Sequence, residues 1–185
     1  MKDKIAQGGS LLSSMADEGG DDYTRSAMST TATKNDTTAH GLDQSSLRHV
    51  LGYQLAQADV PTKKIFFKHI GLPLQLRPVE FTILMLIAHN EDVTQKQLSQ
   101  ALAVSAPNIT TLLDRLEERE LLNRVRSETD RRSQLIRLTR KGSTLARKAY
   151  DVSLTMEHDL LRHLTEAERA ILVELLQKVA RHRRV

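Results

Sequence analysis

Residues 104–142 read VSAPNITTLLDRLEERELLNRVRSETDRRSQLIRLTRKG, and a change of period inside this stretch decides the fold. Ser105 stands at a helix N-cap position, and Pro107 follows in the first turn, where its missing N–H costs little. Ile109, Leu112, Leu113 and Leu116 then recur at i, i+3, i+4 and i+7, which is one apolar stripe on one helix. The opposite face carries Pro107, Asn108, Thr111 and Arg115, with Thr110 beside them: short polar groups and a cation that suit a base edge or a phosphate. After Glu120 the period drops from 3.6 to 2. Leu122, Arg124 and Arg126 lead out and Gln134, Ile136 and Leu138 lead back, as in a hairpin of two short strands. The connecting residues 127–133 include Asp130, Arg131 and Arg132. Paired arginines on a hairpin tip suit a narrow minor groove of strongly negative potential, and Asp130 is read as shaping the tip by pairing with an arginine. Over residues 121–141 seven cations (Arg124, Arg126, Arg131, Arg132, Arg137, Arg140, Lys141) face two acids (Glu128, Asp130), an excess that attracts phosphate whatever the base sequence. Helix, hairpin and charged tip describe a winged helix. Its candidate contacts to double-stranded DNA are Ser105, Pro107, Asn108, Thr110, Thr111, Arg115, Arg124, Arg131 and Arg132.

The same stretch resembles the MarR-type transcriptional regulators. Leu116-Glu117 closes the helix, Arg124 follows in the first wing strand, Asp130-Arg131-Arg132 matches a D-R-R wing, and Leu138-Thr139-Arg140-Lys141-Gly142 matches the L-T-x-x-G that opens the next helix. Glu120 departs from the pattern, standing where the family commonly has glycine. The resemblance spans roughly residues 47–184. It implies a homodimer and an effector pocket between the dimerisation helices and the DNA-binding lobe, lined by the first, second and fifth helices.

Composition is consistent with that reading. The chain has 185 residues, 39% hydrophobic but only 3% aromatic, so one domain with an aliphatic core is expected. Absence of cysteine removes disulfides, thiolate metal sites and thiol-based sensing. No apolar run of about 18 residues occurs, which argues for a cytoplasmic protein with no membrane partner. Residues 1–45 are rich in Ser, Thr, Gly and Asp and are expected to form a disordered tail. Residues 46–185 form the domain, with dimerisation helices expected over about 46–72 and 143–185 and the DNA-binding lobe over about 78–141.

Within the domain, Leu47, Val50, Leu51, Leu55, Ala58, Ile65, Phe66 and Ile70 follow helical spacing, with Pro61 expected to interrupt or kink a long first helix. Pro73 to Pro78 marks a loop. Pro78 then starts a second helix through Phe81, Leu84, Met85, Ile87 and Ala88. Thr94-Gln95-Lys96-Gln97 is a capping box for a short third helix, so helix, turn and recognition helix make a helix-turn-helix. Beyond Gly142 comes a helix with Leu145, Ala149, Val152, Leu154, Met156 and Leu160. A second capping box at Thr165 to Glu168 starts a last helix that buries Ile171, Leu172, Leu175, Leu176 and Val179. The fold class expected is mainly α with a small β-hairpin wing: a winged helix-turn-helix domain flanked by N- and C-terminal dimerisation helices.

For the effector pocket that the resemblance implies, Phe66, His69, Arg77, Phe81, Met85 and His89 are the candidates, with Arg77 as the cation for a bound acid. A loop arginine is more commonly a solvated or capping group. His158 and His163 lie five apart, poor spacing for a shared ion, and read as a solvated face rather than a metal site. Arg181 to Arg184 favours a helix C-terminus through its dipole. No nucleophile elbow, P-loop, dinucleotide fingerprint or H-E-x-x-H is present, so neither enzyme chemistry nor a cofactor is expected. The reading is a sequence-specific regulator, a repressor released by a small organic effector such as an aromatic acid or phenol. The alternative is a winged helix that binds DNA without sequence preference or docks a protein.

Overall fold

The computed structural model describes residues 42–126 and 134–181. A short 3₁₀ turn (Ser45–Leu47) precedes α1 (Leu51–Phe66), which runs on through a π-helical turn (Phe67–Gly71) into a last helical turn (Leu72–Leu74). There follow α2 (Pro78–Ala88), α3 (Gln95–Leu102), α4 (Ala106–Glu118), β1 (Leu122–Arg126), β2 (Gln134–Leu138), α5 (Arg140–Ser153), α6 (His158–Leu161) and α7 (Glu166–Arg181). β1 and β2 pair antiparallel with Leu122 opposite Leu138 and Arg126 opposite Gln134. The order is that of a winged helix-turn-helix. Pro61 lies inside α1 without breaking it; the irregularity comes later, at the π turn. Among the described residues no single helix is long and apolar enough to cross a membrane.

Three helices end in the same way. After Leu74, Leu102 and Glu118 the chain passes through Gln75, Ala103 and Glu120, each with φ between 52° and 58°. The amide of the next residue then reaches back five positions: Leu76 to the Gly71 carbonyl, Val104 to Ser99 and Leu121 to Leu116, at 2.9–3.1 Å. These are Schellman closures, which usually place glycine at the left-handed residue. In each case the residue after it, Leu76, Val104 or Leu121, is buried in the core. Burying that side chain offsets the left-handed penalty of about 1 kcal/mol per residue.

N-termini are capped as the spacing demands. Glu80 reaches back to the Arg77 N–H (2.9 Å), and Gln97 N–H donates to the Thr94 hydroxyl while the Gln97 side chain accepts from the Thr94 N–H. Glu168 does the same at Thr165, whose backbone N–H and then hydroxyl hold the carboxyl below its ordinary value of 4.5. α5 opens on Thr139, whose hydroxyl accepts from the Gly142 N–H (3.0 Å) and donates to the Glu120 carbonyl (2.7 Å). The Thr139 N–H donates to the Leu121 carbonyl (3.1 Å).

The core is aliphatic, built around Ile70, Ile83, Leu84, Ile109, Leu113, Leu116 and Leu122, with Ala146 and Ala149 of α5 sealing one side. α7 departs from expectation. Ile171, Leu172, Leu175, Leu176 and Val179 are 40–54% exposed, because nothing within the chain packs over that face. Leu154 is also exposed, since α5 ends at Ser153 and a turn intervenes before α6.

Two substitutions test the junction between α4, the wing and α5. A Cβ on Gly142 would lie 1.8 Å from the Leu121 carbonyl oxygen, so Gly142→Ala should cost about 1–3 kcal/mol or more in urea denaturation. Glu120→Gly should leave stability unchanged or raise it by up to about 1 kcal/mol, whereas Glu120→Val should lower it by about 1–3 kcal/mol, because a β-branched residue tolerates φ > 0 poorly.

Candidate nucleic-acid interface

α4 is amphipathic in the sense that matters for reading DNA. Ile109, Leu112, Leu113 and Leu116 are buried, and Ser105, Pro107, Asn108, Thr111 and Arg115 are exposed on the other side. Ser105 occupies the N-cap position but makes no side-chain capping bond. The Thr111 hydroxyl donates back to the Pro107 carbonyl (3.2 Å), which fixes its rotamer on an exposed surface.

Thr110 has a different role. Its hydroxyl donates to the Ala106 carbonyl (2.9 Å) and accepts from Gln95 Nε2 (2.7 Å) in a half-buried setting. The pair ties the first turn of α3 to the first turn of α4, so Thr110 sets the helix-turn-helix angle. Gln95 was not singled out by sequence reasoning; its position at the start of α3 was the available signal.

Arg124 is also committed. Its guanidinium bonds Asp114 Oδ1 at 2.5 Å and Glu117 on the same helix. One strand cation bridging two carboxylates a turn apart pins the first wing strand against α4, an arrangement that ideal geometry makes stronger than an isolated surface pair. Arg126 is exposed one pleat further out. Arg137, on the second strand, pairs with Asp92 at 2.8 Å, both largely exposed. Ile136 N–H donates to the Val93 carbonyl (2.7 Å), joining the wing to the loop before α3. Arg131, Arg132 and Asp130 lie outside the described residues, as do residues 1–41 of the tail and Arg183 and Arg184.

A second ionic link lies behind the interface. Glu80 is buried at 4% exposure and takes Arg119 Nη1 at 3.3 Å as well as the Arg77 N–H. It fastens the end of α4 to the start of α2. No described buried side-chain polar atom lacks a partner.

The effector candidates are dispersed. Phe66 is buried with its ring edge-on to Phe81 (5.7 Å), and Phe81 and Met85 pack against the core. His69 sits half-buried in the π turn, and Arg77 is the N-cap of α2. His89, at the other end of α2, donates or accepts through Nδ1 with the Met85 carbonyl (3.0 Å), and its ring lies 5.4 Å from that of Tyr150. Two clefts open on the described surface. One, of about 250 Å³, is lined by His89, Leu138, Ser143, Arg147 and Tyr150 among others. The other, of about 760 Å³, lies between Leu72–Gln75 and the first turns of α5. Of the six candidates, only His89 lines either cleft. Sequence periodicity missed Tyr150 and Arg147, which reach His89 only through the packing of α5 on α2.

Similarity to known proteins agrees with this geometry. A sequence profile described as MarR family matches residues 71–133. The HTH-type transcriptional regulator MhqR of Bacillus subtilis (strain 168) is 32% identical over 104 residues, covering 56% of this chain and 72% of the relative. The structure of the transcriptional repressor CouR bound to a 23-mer DNA duplex superposes with a TM-score of 0.69 at 34% identity, covering 75% of this chain and 98% of CouR. CouR bound to p-coumaroyl-CoA gives 0.68 at 30% identity, covering 76% and 99%.

A double-mutant cycle tests the bracing of the wing. Arg124→Gln and Asp114→Asn, singly and together, should show a coupling energy of about 0.5–1 kcal/mol in chemical denaturation. Additive effects would mean that the ion pair does not hold the strand.

Proposed function

The chain belongs to the MarR family of DNA-binding transcriptional regulators, which are not enzymes, and from that premise we propose that it is a homodimeric repressor that leaves an inverted-repeat operator when a small aromatic acid or phenol binds. The observation that carries the DNA half is the exposed set Ser105, Pro107, Asn108, Thr111 and Arg115 on a helix locked at both ends, by Gln95–Thr110 and by Arg124. Asn108 and Arg115 supply the side chains that read adenine and guanine edges in a major groove, while Arg126 and the tip arginines Arg131 and Arg132 supply phosphate and minor-groove affinity.

The dimer half rests on the uncovered faces of two helices. Ile171, Leu172, Leu175, Leu176 and Val179 on α7, with Leu51 and Val60 on α1, make more exposed apolar surface than a monomer of this size needs. A two-fold partner covers such a face with a copy of itself and sets two recognition helices about one helical turn apart.

For the effector, the 250 Å³ crevice supports the reading better than the dispersed aromatic set. It is sized for one ring and combines ring faces from His89 and Tyr150, the Arg147 cation and the Ser143 hydroxyl. It lies where α2, the end of β2 and α5 meet. A ligand wedged there changes the angle between wing and dimerisation helices to the extent that it binds the DNA-incompetent state more tightly. The p-coumaroyl-CoA complex of CouR points to the same aromatic class.

Gel-shift titration on the chain's own upstream DNA against scrambled competitor, repeated with a panel of aromatic acids, tests the whole reading. Asn108→Ala should narrow the specific-to-scrambled ratio by about 1–3 kcal/mol, while Arg126→Gln should weaken both DNAs alike and lower the salt slope by about one. Leu172→Asp should yield monomers by light scattering and lose operator binding. Equal affinity for scrambled DNA, or a dimeric Leu172→Asp variant, would overturn the corresponding part.

A further inference from the structure

The larger cleft lies on the flank of α5 away from His89. Its wall on α5 is a stripe at helical spacing, with Arg140, Lys141, Thr144, Leu145 and Lys148 within two turns. Across from it the end of the first helix presents Leu72, which is 76% exposed, and Pro73. Gln75 in its left-handed conformation turns the chain away and leaves the space open.

The charge pattern is unusual for a helix start. The first turn of α5 holds no acid, and it holds Arg140 and Lys141, although a helix N-terminus favours anions and opposes cations by about 0.3–1 kcal/mol each. Lys141 has a partner, Glu120, at 3.3 Å, with both side chains more than half exposed. Among the described residues no carboxylate lies at ion-pair distance from Arg140 or Lys148. Three cations therefore converge with one exposed acid between them, beside an uncovered leucine. Neither half of this arrangement helps the chain fold.

We infer that this cleft is a binding site for an anionic amphiphile, a molecule with an apolar chain or ring that lies on Leu72, Pro73 and Leu145 and a head of clustered negative charge that lies on Arg140, Lys141 and Lys148. A volume of about 760 Å³ holds a ligand far larger than a single ring. The head is of phosphate type rather than a lone carboxylate, because three cations spread over more than two helical turns (about 12 Å, at 1.5 Å per residue) exceed what one carboxylate can reach. The site is separate from the His89 crevice and does not depend on the effector reading above.

Phosphorylated acyl thioesters and phosphatidate share this chemistry. Isothermal titration of the full chain with octanoyl-coenzyme A, octanoate, pyrophosphate and vesicles containing phosphatidate distinguishes them. The expected result is that octanoyl-coenzyme A or the phosphatidate vesicles bind about tenfold or more tightly than octanoate or pyrophosphate, and which of the two binds identifies the source of the head group. Lys148→Glu and Leu72→Ser should each weaken that binding about tenfold with unchanged melting temperature and unchanged mass in solution. The inference is overturned if pyrophosphate binds as well as the amphiphile, or if neither substitution alters amphiphile binding. It is overturned equally if Lys148→Glu lowers only DNA affinity, or if Leu72→Ser dissociates a dimer, for then the cations serve DNA or the leucine serves an interface.

Discussion

The contact of the Leu121 carbonyl with the start of α5 is the constraint on which the rest of the fold depends. Gly142 lies so close to that carbonyl that a methyl group does not fit. Thr139 donates to Leu121 and Glu120 and accepts from Gly142. These few bonds fix three directions at once: where the recognition helix stops, where the wing begins and where the chain leaves toward the dimerisation helices. The L-T-x-x-G signature is a description of this junction. Leucine closes the hairpin opposite Leu122, threonine caps the helix, and glycine permits the approach.

Around that junction the DNA-facing side chains divide into those that are free to touch a ligand and those that hold the others still. Asn108, Thr111, Arg115 and Arg126 face solvent. Thr110, Arg124 and Glu80 are turned to partners within the protein. The second set supplies preorganisation: a recognition helix whose tilt is fixed loses less entropy on docking than one that must be ordered by the DNA. Three helix ends with non-glycine left-handed residues show the same economy of design, since each strained residue is followed by a buried aliphatic one.

Much of this was legible in the sequence because it rests on local periodicity. The stripe from Ile109 to Leu116, the switch to period 2 after Glu120 and the capping boxes at Thr94 and Thr165 depend on neighbours within a few residues, and each stands where the pattern put it. Glu120 at a customary glycine position signalled the left-handed turn that it adopts. Roles set by distant partners were not legible. Nothing near Thr110 announces Gln95, and nothing near Arg124 distinguishes a phosphate contact from a brace to Asp114 and Glu117. His89 meets Tyr150 only because α5 crosses α2, and the apolar stripe of α7 reads as core until the fold shows that no part of the chain covers it.

The central claim is that two copies of this surface read DNA in register. Hydroxyl-radical footprinting of the protein on its own upstream DNA measures that arrangement directly. Two protected patches on one face of the duplex, centred about 34 Å or one helical turn apart and related by a dyad, are the predicted result. Uniform protection without phase, or a single patch of half that span, would contradict it.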